Sequence, residues 1–462
     1  MESESESESE LGSELESDSI ERFLSHACSV NCAAVDKDFE GQLEKAKVLL
    51  SKLTESQREN LSVAAAIGDV STVQRLIQKD GSSVTQVGGP HQWPPLLYLC
   101  FSRFMRDTDQ QRINDLITTA EWLLSNGAEA NSYFMLGDER ETALYAACGI
   151  CNNAALAQLL LDHGAMVNDE DATYHVAEFS ATDCIRVLFE NGLDADRQAT
   201  VLLRKLDFED FDGVQAILDL GCDVNHQGYW NKSPLHQAIM RGRSLAIVKL
   251  LIDRGADVNA IGQNAATPYY LACLHGRDDV IDLLVAHQAS TDLSPQRQCI
   301  AYASLGQLSQ AKTSQLQVSQ QQLGADAADA FKNECDQAFI LAGKAGNLSG
   351  LQCMLELDFE IGASDGQGFT ALHWAAWFGH LDCVTLLIDK GAPVEAENNY
   401  GGTVIDSTVW GYANSNGDDR NCREILKLLA AAGADPFLVS PFPSGHAQSD
   451  QVIAQLRQQR SA

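Results

Sequence analysis

One phrase recurs along this chain: two or three apolar residues, a polar pair, then Gly-Ala or a close substitute. It reads Leu123-Leu124-Ser125-Asn126-Gly127-Ala128 and Leu160-Leu161-Asp162-His163-Gly164-Ala165. It returns at Leu188–Leu193, Ile217–Cys222, Leu251–Ala256, Leu387–Ala392 and Leu429–Ala434. Successive glycine intervals from 127 to 255 are 37, 28, 29 and 34, and Gln288-Ala289 continues the series at 33. The 103 residues from Gln288 to Gly391 are close to three periods, which predicts two degenerate members between them. Gly324-Ala325-Asp326 and Asp358 sit at the expected places, and Asp80-Gly81 makes the first of about eleven units. A period near thirty-three confines the chain to a stack of small similar units, because no single unit can bury its apolar face alone.

Each unit carries a second phrase upstream of its Gly-Ala. The clearest copies are Ser233-Pro234-Leu235-His236-Gln237-Ala238, Thr267-Pro268-Tyr269-Tyr270-Leu271-Ala272 and Thr370-Ala371-Leu372-His373-Trp374-Ala375-Ala376; Thr142–Ala147 is a fourth. Ser or Thr is a helix N-cap, and Pro is tolerated at the first helical position because its missing N–H had no partner there. Leu followed by Ala makes a short helix with one small face. A glycine breaks it, as at Gly242 and Gly379, and a second helix follows, with Leu381, Val384, Leu387 and Ile388 on one face. The closing Gly supplies the left-handed residue that ends this helix.

These residues resemble the Thr-Pro-Leu-His-x-Ala signature and the Gly-Ala-Asp-Val-Asn ending of ankyrin repeats, the ending being nearly complete at Gly255–Asn259 and Gly221–Asn225. The resemblance covers roughly residues 58–440 and implies an all-α ankyrin-repeat solenoid of stacked helix-turn-helix units with short outward fingers. Trp93-Pro94-Pro95-Leu96-Leu97-Tyr98 and Tyr400-Gly401-Gly402-Thr403 look similar to bacterial ankyrin-repeat proteins. The organisation expected is a disordered acidic Ser/Glu tail over 1–21 and an N-terminal helical cap over 22–57. Repeats follow over 58–293, then a degenerate Gln-rich repeat over 294–334, with seven glutamines in 306–323. Further repeats run over 335–440, and a tail with a short cap helix closes the chain over 441–462.

Charge narrows the partners. The chain has 64 acidic and 32 basic residues, a net −32; nine of the acids and no base lie in residues 1–21, so the other 441 residues still carry −23. Affinity for nucleic acid or anionic lipid rests on Lys and Arg contacts to phosphate, so neither is expected as a partner. A surface of this sign attracts basic proteins at low salt. No apolar run approaches 18 residues, so no membrane span is expected. The N-terminus lacks the basic start and apolar run of a secretory signal. With thirteen scattered cysteines, the chain is expected to be cytoplasmic and to act as a monomer.

Catalytic, cofactor and metal sites are not expected. Cys148-Gly149-Ile150-Cys151 has the spacing of a redox pair, but it follows directly on a first-helix phrase, so a structural role is the simpler reading. An enzyme working through these two thiols would need them depressed in pKa. Cys28 and Cys32 lie one helical turn apart beside His26, without a fourth ligand. His236 and His373 occupy the histidine slot of the repeat signature, where the resemblance implies hydrogen bonding to backbone between neighbouring units. Nucleophile-elbow, zincin, phosphate-loop and dinucleotide motifs are lacking.

The resemblance places variable residues on the fingers and the exposed ends of the first helices, along a concave face. Residues at such slots include Tyr229, Trp230 and Lys232 with Met240 and Arg241; Gln263, Asn264, Leu274 and His275; Gln367 and Phe369 with Trp377 and Phe378; and Asn399 and Tyr400 with Trp410. Large aromatics at solvent-facing slots favour a covering partner, since Trp, Tyr and Arg dominate interface hot spots. Tyr229, Trp230, Met240, Arg241, Phe369, Trp377, Phe378, Tyr400 and Trp410 are therefore the expected contacts of a protein partner. The function expected is a non-enzymatic interaction module or scaffold. An acidic inhibitor or immunity-type protein that neutralises a basic nuclease or toxin is the alternative.

Overall fold

The computed structural model describes residues 18–30, 38–321, 323–414 and 421–461. They form two compact units, one up to Ala256 and one from Asp257. This division falls just after the Gly255-Ala256 turn. Both units are built mainly from antiparallel helix pairs.

In the N-terminal unit, residues 18–27 form a helix, so the last residues of the acidic stretch, Asp18–Glu21, are ordered rather than part of the expected tail; the remainder of that stretch lies outside the described residues. The helix Phe39–Lys52 follows, burying Phe39, Leu43 and Ala46. Pairs then run through Leu61–Ile67 with Val70–Lys79, Pro95–Cys100 with Gln110–Ser125, Ala154–Asp162 after the turn at Ala143–Ile150, and onward to Pro234–Met240 with Leu245–Asp253. A short turn at Arg103–Arg106 precedes the helix that begins at Gln110, capped by the Asp109 carboxylate. Between Asn131 and Ala143 the finger is a two-stranded hairpin, Tyr133–Leu136 against Glu139–Thr142.

The caps work as their residue types dictate. Ser233, Thr142, Thr267 and Thr370 each accept a hydrogen bond from the backbone N–H three residues on, at 3.4, 3.0, 3.2 and 3.3 Å. At the other end, the residue after each closing glycine donates its N–H five residues back: Ala165 to Leu160, Ala256 to Leu251 and Ala392 to Leu387, at 3.0, 3.0 and 2.9 Å. That closure needs a left-handed residue, which Gly164, Gly255 and Gly391 supply with φ of 89°, 90° and 85°. Gln288 and Asp358 hold the same conformation without being glycine, at φ 66° and 61°. The signature asparagines strap successive turns: Asn225 Nδ2 donates to Gly255 O at 2.9 Å, and Asn131 does the same to Gly164 O at 2.8 Å.

The C-terminal unit pairs Pro268–Leu274 with Asp278–Ala286, and the Gln-rich stretch is an ordinary pair, Pro295–Ser304 with Leu308–Gln320. Gly324-Ala325 departs from the expected closing turn. Gly324 has φ −65° and ψ 161°, and Ala325 opens a 21-residue helix, Ala325–Ala345. A helix extension thus stands where other units place a finger. Pairs continue through Leu348–Leu355, Ala371–Trp377 with Leu381–Asp389, and Val404–Asn414 with Cys422–Ala431. The closing helix Ala447–Ser461 fills most of the expected C-terminal tail and buries Val452 and Ile453 against the core.

Candidate functional site

Cys148 and Cys151 are buried rather than presented at a surface. Cys148 is fully buried inside the turn Ala146–Ile150, and its hydrogen bond to Cys184, then burial, holds it well above the ordinary thiol range. Burial pushes Cys151 up to about 12, and its Sγ donates to Cys100 O at 3.3 Å. Both therefore stay protonated, the opposite of what a redox or nucleophilic pair needs. Cys28 is likewise pushed up to about 12 by burial, His26 Nδ1 bonds Gln42 Oε1 at 2.6 Å, and Cys32 lies outside the described residues. Among the described residues no group of His, Cys, Asp or Glu side chains is placed to hold a metal ion.

His236 and His373 cap their own helices. Ser233 N–H donates to His236 Nδ1 at 3.3 Å, and Thr370 N–H to His373 Nδ1 at 3.1 Å. Burial pushes His373 down to about 4, and burial followed by Arg277 and Lys344 does the same to His275. Both are neutral at pH 7. Because the folded values lie below the ordinary 6.5 or so, their contribution to stability is complete above about pH 6.5 and is lost as pH falls toward 4. The urea midpoint of the chain is expected to drop between pH 7 and pH 4.5, with His373 alone responsible for on the order of 1–3 kcal/mol. A midpoint that is flat across this range, or a His373 imidazole titrating near 6.5 by NMR, contradicts this.

The expected partner residues fall into two groups, one in each unit. In the N-terminal unit the turn Gly228–Trp230 holds up Tyr229, 62% exposed, with Arg197 5.3 Å from its ring centre. Trp230 is half-buried beneath Lys232, whose ammonium lies 5.9 Å from that ring. Met240 is exposed at its helix end. Arg241 is exposed too, but its Nε donates to Asp207 Oδ1 at 2.7 Å, so part of its charge is already spent within the unit.

In the C-terminal unit the aromatics form one continuous cluster. Trp374 stacks on Phe369 at 4.8 Å and on Phe378 at 5.9 Å, Trp377 meets Trp374 at 5.8 Å, and Trp410 meets Trp377 at 5.0 Å. Phe378, Trp410 and Tyr400 are exposed, Tyr400 most of all at 75%, and Trp377 is half-buried. Phe369 corrects the expectation: it is only 6% exposed, wedged between His373, Trp374 and Tyr400, and serves as the floor of the cluster rather than a contact. The turn Asp365–Phe369 draws its ring inward, through Asp365 N–H donating to Phe369 O at 3.0 Å.

Two members were not singled out in the sequence. Trp374 occupies the variable place of Thr370–Ala376; its Nε1 donates to Asp365 Oδ2 at 3.0 Å, leaving its ring face half-open. Lys344 comes from the end of the long helix and lies 4.4 Å over the Trp374 ring. The phrase containing Trp374 was legible. Nothing in the local sequence ties Lys344 to a ring thirty residues on.

Among the described residues no helix is long and apolar enough to cross a membrane. Comparison with known proteins agrees with the architecture. A family description of ankyrin repeats, in three copies, matches residues 111–199, 205–295, 309–398 and 339–440, more than half of the chain. Over 77 residues the chain is 32% identical to the transient receptor potential cation channel subfamily A member 1 homolog of Caenorhabditis elegans. That stretch is 16% of this chain and 6% of that protein.

Proposed function

The chain belongs to the ankyrin-repeat family, and from that premise we propose that it is a non-catalytic interaction module holding a protein partner on the finger side of its repeats. The observation that carries this reading is the row of packed aromatics from Trp374 through Trp377 to Trp410, half-buried at its first two rings and open at Trp410, with exposed Phe378 and Tyr400 beside it. Rings left this open in water are unfavourable unless a partner covers them, and rings are the residue type that anchors interfaces. The Tyr229 turn is a second, smaller contact. The twelve described cysteines are all free and buried, which suits the reducing cytoplasm as the site of action.

The test is capture from lysate of the native host at about 50 and 300 mM salt, a range over which surface electrostatics is largely screened. Wild type is compared with the double variant Tyr229→Ala plus Trp410→Ala. A partner retained at the higher salt and lost from the variant, with the melting temperature within a few degrees of wild type, supports an aromatic-anchored module. A basic partner lost at the higher salt from both proteins favours the electrostatic inhibitor instead. Equal capture by both proteins at high salt overturns the assignment of these rings.

A further inference from the structure

The exposed rings of this protein differ in whether a cation of the chain already covers them. Tyr133 carries Arg140, Tyr229 carries Arg197, Trp230 carries Lys232, and Trp374 and Phe378 share Lys344. Trp377, Trp410 and Tyr400 have no such cation among the described residues. Trp410 is 52% exposed, braced on one side by Trp377. Asp406 precedes it by four residues on the helix Val404–Asn414, so the two side chains share a helix face.

Together they line a cleft of about 220 Å³ whose far wall is Val439–Pro441. Asp406 is half-buried there. Its Oδ1 accepts from Ser440 N–H at 2.9 Å, and among the described residues no cation lies within ion-pairing distance of it. Burial pushes its carboxyl above the ordinary carboxylate range. A half-buried carboxylate without a counter-ion among the described residues, beside an open indole face, on a chain of net −32, is complementary to a cation. Between the two basic side chains, a guanidinium is planar and weakly hydrated; it stacks on an aromatic face while its N–H groups fork onto a carboxylate, which an ammonium does less well.

We propose that this cleft takes an arginine side chain of the protein partner, stacked on Trp410 and hydrogen-bonded to Asp406. This rests on the reading of the chain as an interaction module and specifies the partner's chemistry. The probe is a fluorescein-labelled peptide of alternating Arg and Gly, titrated into the full chain at about 150 mM salt, against the same peptide with citrulline for arginine. Citrulline keeps the shape and loses the charge. Asp406→Asn, which keeps the acceptor for Ser440 N–H, and Trp410→Ala are each expected to weaken the arginine peptide by roughly tenfold. The exposed Asp292→Asn is expected to stay within about twofold, since general attraction to an acidic chain spreads over many carboxylates.

Trp410→Leu, which keeps apolar packing against Trp377 without the π face, covers the case in which alanine disturbs the fold. The citrulline peptide is expected to bind at least about tenfold more weakly than the arginine peptide. Equal binding of the two peptides, equal loss in Asp292→Asn and Asp406→Asn, or no binding to wild type each overturns the proposal. If the arginine peptide fails while host-partner capture still depends on Trp410, this inference falls alone. If the peptide binds as expected and host capture ignores Trp410, the cleft stands and the broader reading falls.

Discussion

Alanine at Lys205 is expected to lower the unfolding free energy of the N-terminal unit by about 3–5 kcal/mol. Lys205 ends the helix Ala195–Lys205, and only 1% of its surface is exposed. Its ammonium donates to Asp210 Oδ2 at 2.7 Å, to Ala177 O at 3.4 Å and to Phe179 O. Alanine removes the cation and leaves a carboxylate and two carbonyls facing a cavity. The lost pairing is larger than the loss of area, because those acceptors were desolvated on the assumption of a donor.

Lys205→Met fills the volume but supplies no donor, so it should recover the packing share only. Gly213 belongs to the same arrangement: a Cβ there would stand on the Lys205 stem and the Asp210 carboxylate. Urea unfolding of Lys205→Ala and Lys205→Met, followed by circular dichroism, measures both. A loss below about 1 kcal/mol for alanine would mean that water reaches Asp210 readily enough to replace the ammonium.

The second large effect is placed in the C-terminal unit. Phe339→Ala is expected to cost about 3–5 kcal/mol, the range for deleting a buried ring together with the cavity left behind. Phe339 is fully buried in a cluster with Ala338, Ala342, Leu351, Met354 and Leu372. The same helix provides its own control. Lys332, seven residues earlier, is exposed and paired with Asp336 at 2.6 Å, and Lys332→Ala should leave the melting temperature essentially that of wild type. Differential scanning calorimetry of the two variants separates them. Similar losses from both would mean that the exposed first half of the helix is as strongly coupled to the core as the second.

Much of this architecture was legible because repetition multiplies weak local signals. Ser233, Thr267 and Thr370 marked helix starts, and the same hydroxyls accept the capping bonds. The Gly-Ala pairs marked helix ends, and their glycines hold the left-handed turn. Gln288 and Asp358 were legible only through spacing, since neither residue type asks for positive φ. The candidate site was read less well. Slot position located Tyr229, Phe378, Tyr400 and Trp410 on exposed surface. It placed Phe369 there too, although a backbone hydrogen bond within its own turn draws that ring into the core. Local spacing also took Gly324-Ala325 for a closing turn, when Ala325 instead begins a helix that replaces the finger.

Caps, breaks, period and charge are properties of neighbouring residues, so they are written in order along the chain and survive being read without coordinates. Which side chain braces Trp410, and which cation lies over Trp374 or Tyr229, depend on residues thirty or more positions apart. Lys344 over Trp374, and Ser440 on Asp406, follow from how one helix pair lies on the next. Packing between units sets those distances, and no local preference encodes them.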